Sequence, residues 1–228
     1  MKANRVVLAA VGAMLVLTGC TQSGNVAARV GDTTVPTSEV DFLTRIQCAS
    51  LDEAAEDPQQ GQAPQTVPTS QIRVSMVNTL VQAELNRQLA EREELTYDRA
   101  TLRNVMSQFE ATVEQAPEAD QDRFRELVEG VYRGQLQVYA LAEYNLRTAG
   151  VVDPSQDEVA QAIAGIQDDF RKSVDVEINP EYGADVDGVA GTVDPSLSLA
   201  VSSFAKQGRA TQPEPDWVAA LPADQRCG

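Results

Sequence analysis

Val26, Ala28 and Val30 alternate with Ala27 and Arg29 and stop at Gly31-Asp32. That pattern predicts a half-buried strand and a tight turn, with a second short strand over residues 33–35. Pro36-Thr37-Ser38 brings N-capping hydroxyls, Glu39 and Asp41 suit a helix N-terminus, and Val40, Leu43 and Ile46 repeat at spacing three. A helix is therefore expected to about Ala49. Residues 50–68 change to Gln, Pro, Gly and acids with almost no large apolar side chain, the composition of a mobile loop. Thr69 or Ser70 caps the next helix, whose face runs Val74, Val77, Val81, Leu85 and Leu89 towards Glu94.

Three more helical stripes follow. Leu102, Val105, Met106, Phe109 and Val113 fill 98–115, which stops before Pro117. Phe124, Leu127, Val128, Val131, Leu136, Tyr139, Ala142 and Leu146 mark a long helix over 118–149, with Gly150 at the C-terminal cap position. Gly130 and Gly134 lie one turn apart inside it. Each costs roughly 1 kcal/mol relative to alanine, so close approach of another backbone, or a bend, is expected there. Asp153-Pro154 is the expected start of a fifth helix carrying Val159, Ile163, Ile166 and Phe170. Val174, Val176 and Ile178 then alternate with Asp175 and Glu177, a returning strand closed by Asn179-Pro180. Beyond it, 184–228 reads as an irregular tail with a pairing segment at 197–201. The fold class is mainly α, with a small sheet.

The beginning of the chain has a different character. Lys2 and Arg5 precede an uncharged apolar run over 6–17, twelve residues long. Spanning a bilayer as a helix takes roughly 20, so this run has the length of a signal-peptide core. Leu17-Thr18-Gly19-Cys20 follows it directly and resembles a bacterial lipoprotein signal. The resemblance implies cleavage of 1–19, a diacylglycerol on Cys20, a short tether over 20–25, and a chain anchored by lipid at the extracytoplasmic face of the cell membrane.

Cysteine count and charge narrow the picture. With Cys20 lipidated, Cys48 and Cys227 remain as an even pair in an oxidising setting, and a bridge between them is expected; two free thiols are the alternative. A bridge closing so long a loop contributes about 4 to 5 kcal/mol in the chain-entropy model. There is no histidine among the 228 residues, which excludes mechanisms resting on imidazole. A formal net charge of -16 excludes nucleic acid as a partner, because phosphate binding depends on Lys and Arg releasing counterions.

The stretch Val26-Ala-Ala-Arg-Val-Gly-Asp-Thr-Thr-Val-Pro-Thr-Ser-Glu-Val-Asp41 resembles the opening of SurA- and PrsA-type extracytoplasmic chaperones. Val174-Asp-Val-Glu-Ile-Asn-Pro-Glu-Tyr-Gly183 resembles the closing strand and turn of the same module. The resemblance covers 26–183 and implies that the two ends pair into a small sheet beside a SurA N-terminal-like helical domain. Longer members carry a parvulin prolyl isomerase domain between the last helix and the returning strand. Here only Arg171-Lys172-Ser173 separates Phe170 from Val174, which leaves no space for it. The resemblance thus implies a non-enzymatic, membrane-anchored chaperone without a cofactor, whose partners are unfolded or exported polypeptides. A dedicated assembly lipoprotein with one folded partner is the alternative.

Met76, Met106 and Phe109 are the expected client contacts, since pliable apolar side chains hold unfolded segments without directional chemistry. Adjacent acids such as Glu93-Glu94 and Asp168-Asp169 could support hydrolysis only across a cleft, and so many acids make chance pairs common. Asp185-Val-Asp187-Gly188 resembles the start of a calcium loop but lacks its third acid and closing Glu, so no metal site is expected.

Overall fold

The computed structural model describes residues 25–56, 66–182, 202–208, 210 and 212–228. Strands β1 (Val26–Val30) and β2 (Thr33–Pro36) form the expected hairpin, with Val30 opposite Thr33 and Ala28 opposite Val35. Gly31 turns the chain at φ +57°, where a Cβ would be strained, and its N–H donates to Asp175 O at 2.7 Å. Strand β4 (Val176–Ile178) returns on the other side of β1 and is antiparallel to it, with Val30 opposite Val176 and Ala28 opposite Ile178. The order β2-β1-β4 thus joins the two ends of the module in one sheet.

Asn179 explains why the returning strand stops there. Its Nδ2 donates to Val26 O at 3.2 Å and its Oδ1 accepts from Glu181 N, which starts a single 3-10 turn over Pro180–Tyr182. The buried Tyr182 ring lies under the Arg73 guanidinium, which also reaches Asp41 at 2.9 Å. Burial is the largest influence on the Tyr182 hydroxyl and raises its pKa.

Five longer helices build the body: α1 (Thr37–Glu56), α2 (Thr69–Arg92), α3 (Arg99–Gln115), α4 (Glu118–Thr148) and α5 (Gln156–Lys172). The core lies where β1 meets α1 and α2, with Ala27, Val30, Val40, Phe42, Val77, Leu85 and Leu89 buried. Val138 of α4 and Phe170 of α5 complete it from the far side. Helix α1 overruns its expected end by seven residues, because 50–56 contain no breaker and the next proline after Pro36 is Pro58. Helix α5 begins at Gln156 instead of Pro154. Ser155 forms a reciprocal capping box with Glu158, and this outweighs the Asp153-Pro154 signal. In α4 the expected single face is divided: Val138 and Ala142 are buried, while Tyr139 is 43% exposed. The helix meets α2, α3 and α5 on different sides, so no one stripe describes it.

The tail corrects the sequence expectation most. Far from irregular, its described part contains α6 (Ser203–Gln207), α7 (Pro215–Ala219), a 3-10 turn over Ala223–Gln225 and β5 (Arg226–Cys227). Strand β5 pairs antiparallel with β3 (Val67–Pro68), inside the span expected to be all loop. Cys48 and Cys227 lie at bonding distance, with Cα atoms 4.9 Å apart. The expected pairing segment at 197–201, the Asp185–Gly188 motif and Cys20 with its leader lie outside the described residues.

Candidate functional site

Helices α3 and α4 form an antiparallel arm. Its base is fixed on α1: the guanidinium groups of Arg123 and Arg45 lie over the Phe42 ring, 4.3 and 5.4 Å from its centroid, and Arg45 also reaches Asp120 at 2.8 Å. Val113, Ala116 and Phe124 enter the core beside them. Farther along, α4 crosses α2 at Gly134, where a Cβ would stand 3.1 Å from Asn86 Cβ. Asn86 is 1% exposed, and its Oδ1 accepts from Gln82 Nε2 and Gln167 Nε2, both at 3.0 Å, joining α2 to α5. The α4 stretch between these anchors is therefore held at both ends. Gly130, one turn earlier, faces open space, so the expected close approach applies to Gly134 alone.

The first half of α3 rests mainly on α4. Asp98 caps it, accepting from Ala100 N at 2.9 Å and from the Thr101 hydroxyl at 2.8 Å, and these bonds hold its carboxyl below the usual range. Leu102 and Val113 are its buried residues, while Met106 and Phe109 are half-buried. Between α3 and α4 lies an open cleft of about 500 Å³. Leu102 and Met106 give it an apolar floor, and Arg103, Glu110, Arg125 and Glu129 give it a charged rim. Arg125 donates to Glu110 at 2.8 Å and to Asp122 at 2.9 Å, and Arg133 donates to Glu129 at 2.6 Å. The bond to Glu110 is the main reason that the Arg125 pKa is raised.

Met106 thus lines the cleft, and Phe109 supports the same arm through the Tyr132 ring, with centroids 5.0 Å apart. Met76 is not brought to them; it packs against the core from α2. The cleft's second wall, Arg125 and Glu129, was not named from the sequence, because only the pairing of α3 with α4 places it there. Tyr139 and Tyr144 leave further aromatic surface on α4, at 43% and 66% exposure.

The acidic pairs have ordinary surface partners: Lys172 reaches Asp168 at 2.6 Å and Asp169 at 3.8 Å, and Glu93 meets Arg92. Among the described residues, no three His, Cys, Asp or Glu side chains converge as a metal site would require, and no helix is long and apolar enough to cross a membrane. What the cleft offers is apolar burial inside a fixed ionic frame.

The helical body is closed by a sheet of its own terminal strands and carries an apolar cleft on a helical arm; its class, a chaperone-type domain, comes from the family it matches. The chain belongs to the SurA-like N-terminal domain family, whose model matches residues 2–132. That match ends within α4; the remainder of α4, α5 and the returning strand complete the module. No curated protein and no solved structure matches the chain.

Proposed function

We propose that this protein is a membrane-anchored extracytoplasmic chaperone that holds unfolded or exported polypeptides in the α3–α4 cleft and has no prolyl isomerase activity. The observation that carries this reading is the open cleft lined by Leu102 and Met106, on an arm of a chaperone-type domain. Burying a client's apolar side chain against such a floor contributes about 1.5 to 3 kcal/mol per side chain, enough for weak, exchangeable binding. Anchoring rests on the lipobox around Cys20. The lack of isomerase activity rests on the absence of histidine and on the three residues between α5 and β4, too few for an inserted domain.

Light scattering tests the reading. Several unrelated, chemically unfolded proteins are diluted into buffer with and without the chain from Asn25 onward. Suppressed aggregation of most of them supports a general holder. Suppression of none removes it and favours a dedicated assembly lipoprotein, which crosslinking in cells would show as one dominant species.

A further inference from the structure

The described tail is held at one end by a compact set of contacts. Cys227 is bonded to Cys48 of α1, and β5 pairs with β3. Gly228 N donates to Asp52 Oδ1 at 2.6 Å, and the Thr66 hydroxyl donates to Gly228 O at 3.2 Å. Val218 and Leu221 are buried next to this clasp, which rests on α1 and α2. Yet Val218, Leu221 and Cys227 stand outside the continuous apolar cluster that joins the sheet to α1–α5. Apolar groups buried apart from the main core can open while it stays closed.

We propose that residues 212–228 are a strap, that the Cys48–Cys227 bridge is its latch, and that a dithiol reductant opens it to bare the α1–α2 face beneath. The two sulfurs are unequal. Cys48 is half-buried, whereas Cys227 is 1% exposed, so the incoming thiolate reaches Cys48 Sγ. The S–S bond breaks and its electron pair goes to Cys227 Sγ. The Thr69 hydroxyl, 3.5 Å away, can donate to that leaving sulfur. The reductant's second thiol then displaces Cys48 and closes the reductant to its own disulfide. Two electrons and two protons pass to the bridge, leaving two thiols. The entropic effect of the bridge acts on the unfolded chain, so its loss lowers global stability without breaking native contacts in the main core. This inference does not rest on the chaperone reading and stands or falls separately from it.

The test is hydrogen exchange of the full chain, read by mass spectrometry before and after dithiothreitol at neutral pH. After reduction 215–228 and 66–68 should exchange by local opening at least about tenfold faster than β1, β4 and the middle of α2, whose own rise is only the shared one that the lowered global stability gives to amides exchanging through full unfolding. Equal exchange rates in β1, β4 and the strap after reduction would overturn the proposal, because the strap would then open only with the whole fold. An unchanged strap would overturn it as well, because other contacts would then suffice to hold it. Leu221→Asp in the oxidised chain provides the second arm. It should loosen 215–222 while the bridged 226–228 stay protected; loosening of β1 and β4 would place the strap within the core and sink the idea.

Discussion

Gly134→Ala, set beside Gly130→Ala, tests how α4 is seated on α2 and hence how the arm is held. Both glycines are interior to the same helix, so each alanine gains about 1 kcal/mol in helix propensity. At Gly130 nothing lies within 4 Å of the added Cβ, and the gain should appear in full. At Gly134 the new methyl meets Asn86 Cβ at 3.1 Å. Asn86 is buried, and its Oδ1 is held by Gln82 and Gln167, so it has little room to give. Overpacking of this kind costs about 1 to 3 kcal/mol, which cancels or exceeds the propensity gain. At the middle of that range the two variants should differ by about 2 kcal/mol, with Gly130→Ala stabilised by about 1 kcal/mol and Gly134→Ala between neutral and destabilised by about 2 kcal/mol. For a chain of this size that separates their melting temperatures by about 4 to 8 °C in parallel thermal melts. An equal gain at both positions would refute the close crossing, and Gly134→Leu with native stability would do so more strongly.

Asn179→Ala removes both bonds that close the terminal sheet and should lower stability by about 1 to 2 kcal/mol in urea titration; an unmoved midpoint would contradict the role given to Asn179. Glu84 supplies a pH dependence. Burial is the largest single influence and raises its pKa, but bonds from Arg87, Gln88 and Thr33 together outweigh it and leave the net value lowered. Its contribution is complete above the ordinary carboxylate value near 4.5 and is lost as pH falls through the depressed folded value. Glu84→Gln should cost about 1 kcal/mol at neutral pH and much less in acid, so equal losses at both would refute this assignment. Cys20→Ala should move the chain from the membrane fraction to the soluble fraction, and continued retention would require another anchor.

The strands of the terminal sheet were legible because their signals are local, whereas the pairing of the returning strand with β1 was what the family resemblance implied. The alternation in 26–30, the Gly31 turn and the alternation at Val174, Val176 and Ile178 each need only a few neighbouring residues. The Cys48–Cys227 pairing followed from counting cysteines, but the strand pair beside it did not: Val67–Pro68 becomes a strand only when Arg226–Cys227 lies against it. Helices α6 and α7 span five residues each, too few for a hydrophobic period, although Ser202 caps one and Pro215 opens the other. At α5 two start signals competed, and Ser155 prevailed over Asp153 because it gains a reciprocal bond with Glu158. For the cleft, helical period put Met106 and Phe109 on α3, but the wall formed by Arg125 and Glu129 depends on which helix α3 meets. Met76 shows the opposite limit: a methionine on an apolar stripe suits a core as well as a client site, and here the core takes it.

Met106→Glu is the most direct test of client binding in the cleft. The carboxylate replaces the pliable part of the apolar floor next to Glu110 and Glu129, while Leu102 and Val113 still seat α3. The affinity of several unrelated unfolded polypeptides for the wild-type and variant chains would be measured side by side by fluorescence anisotropy. The account predicts binding of most of them by the wild type, weakened about tenfold or more in the variant, with the folded chain's melting temperature nearly unchanged. Equal affinity for both chains would contradict it.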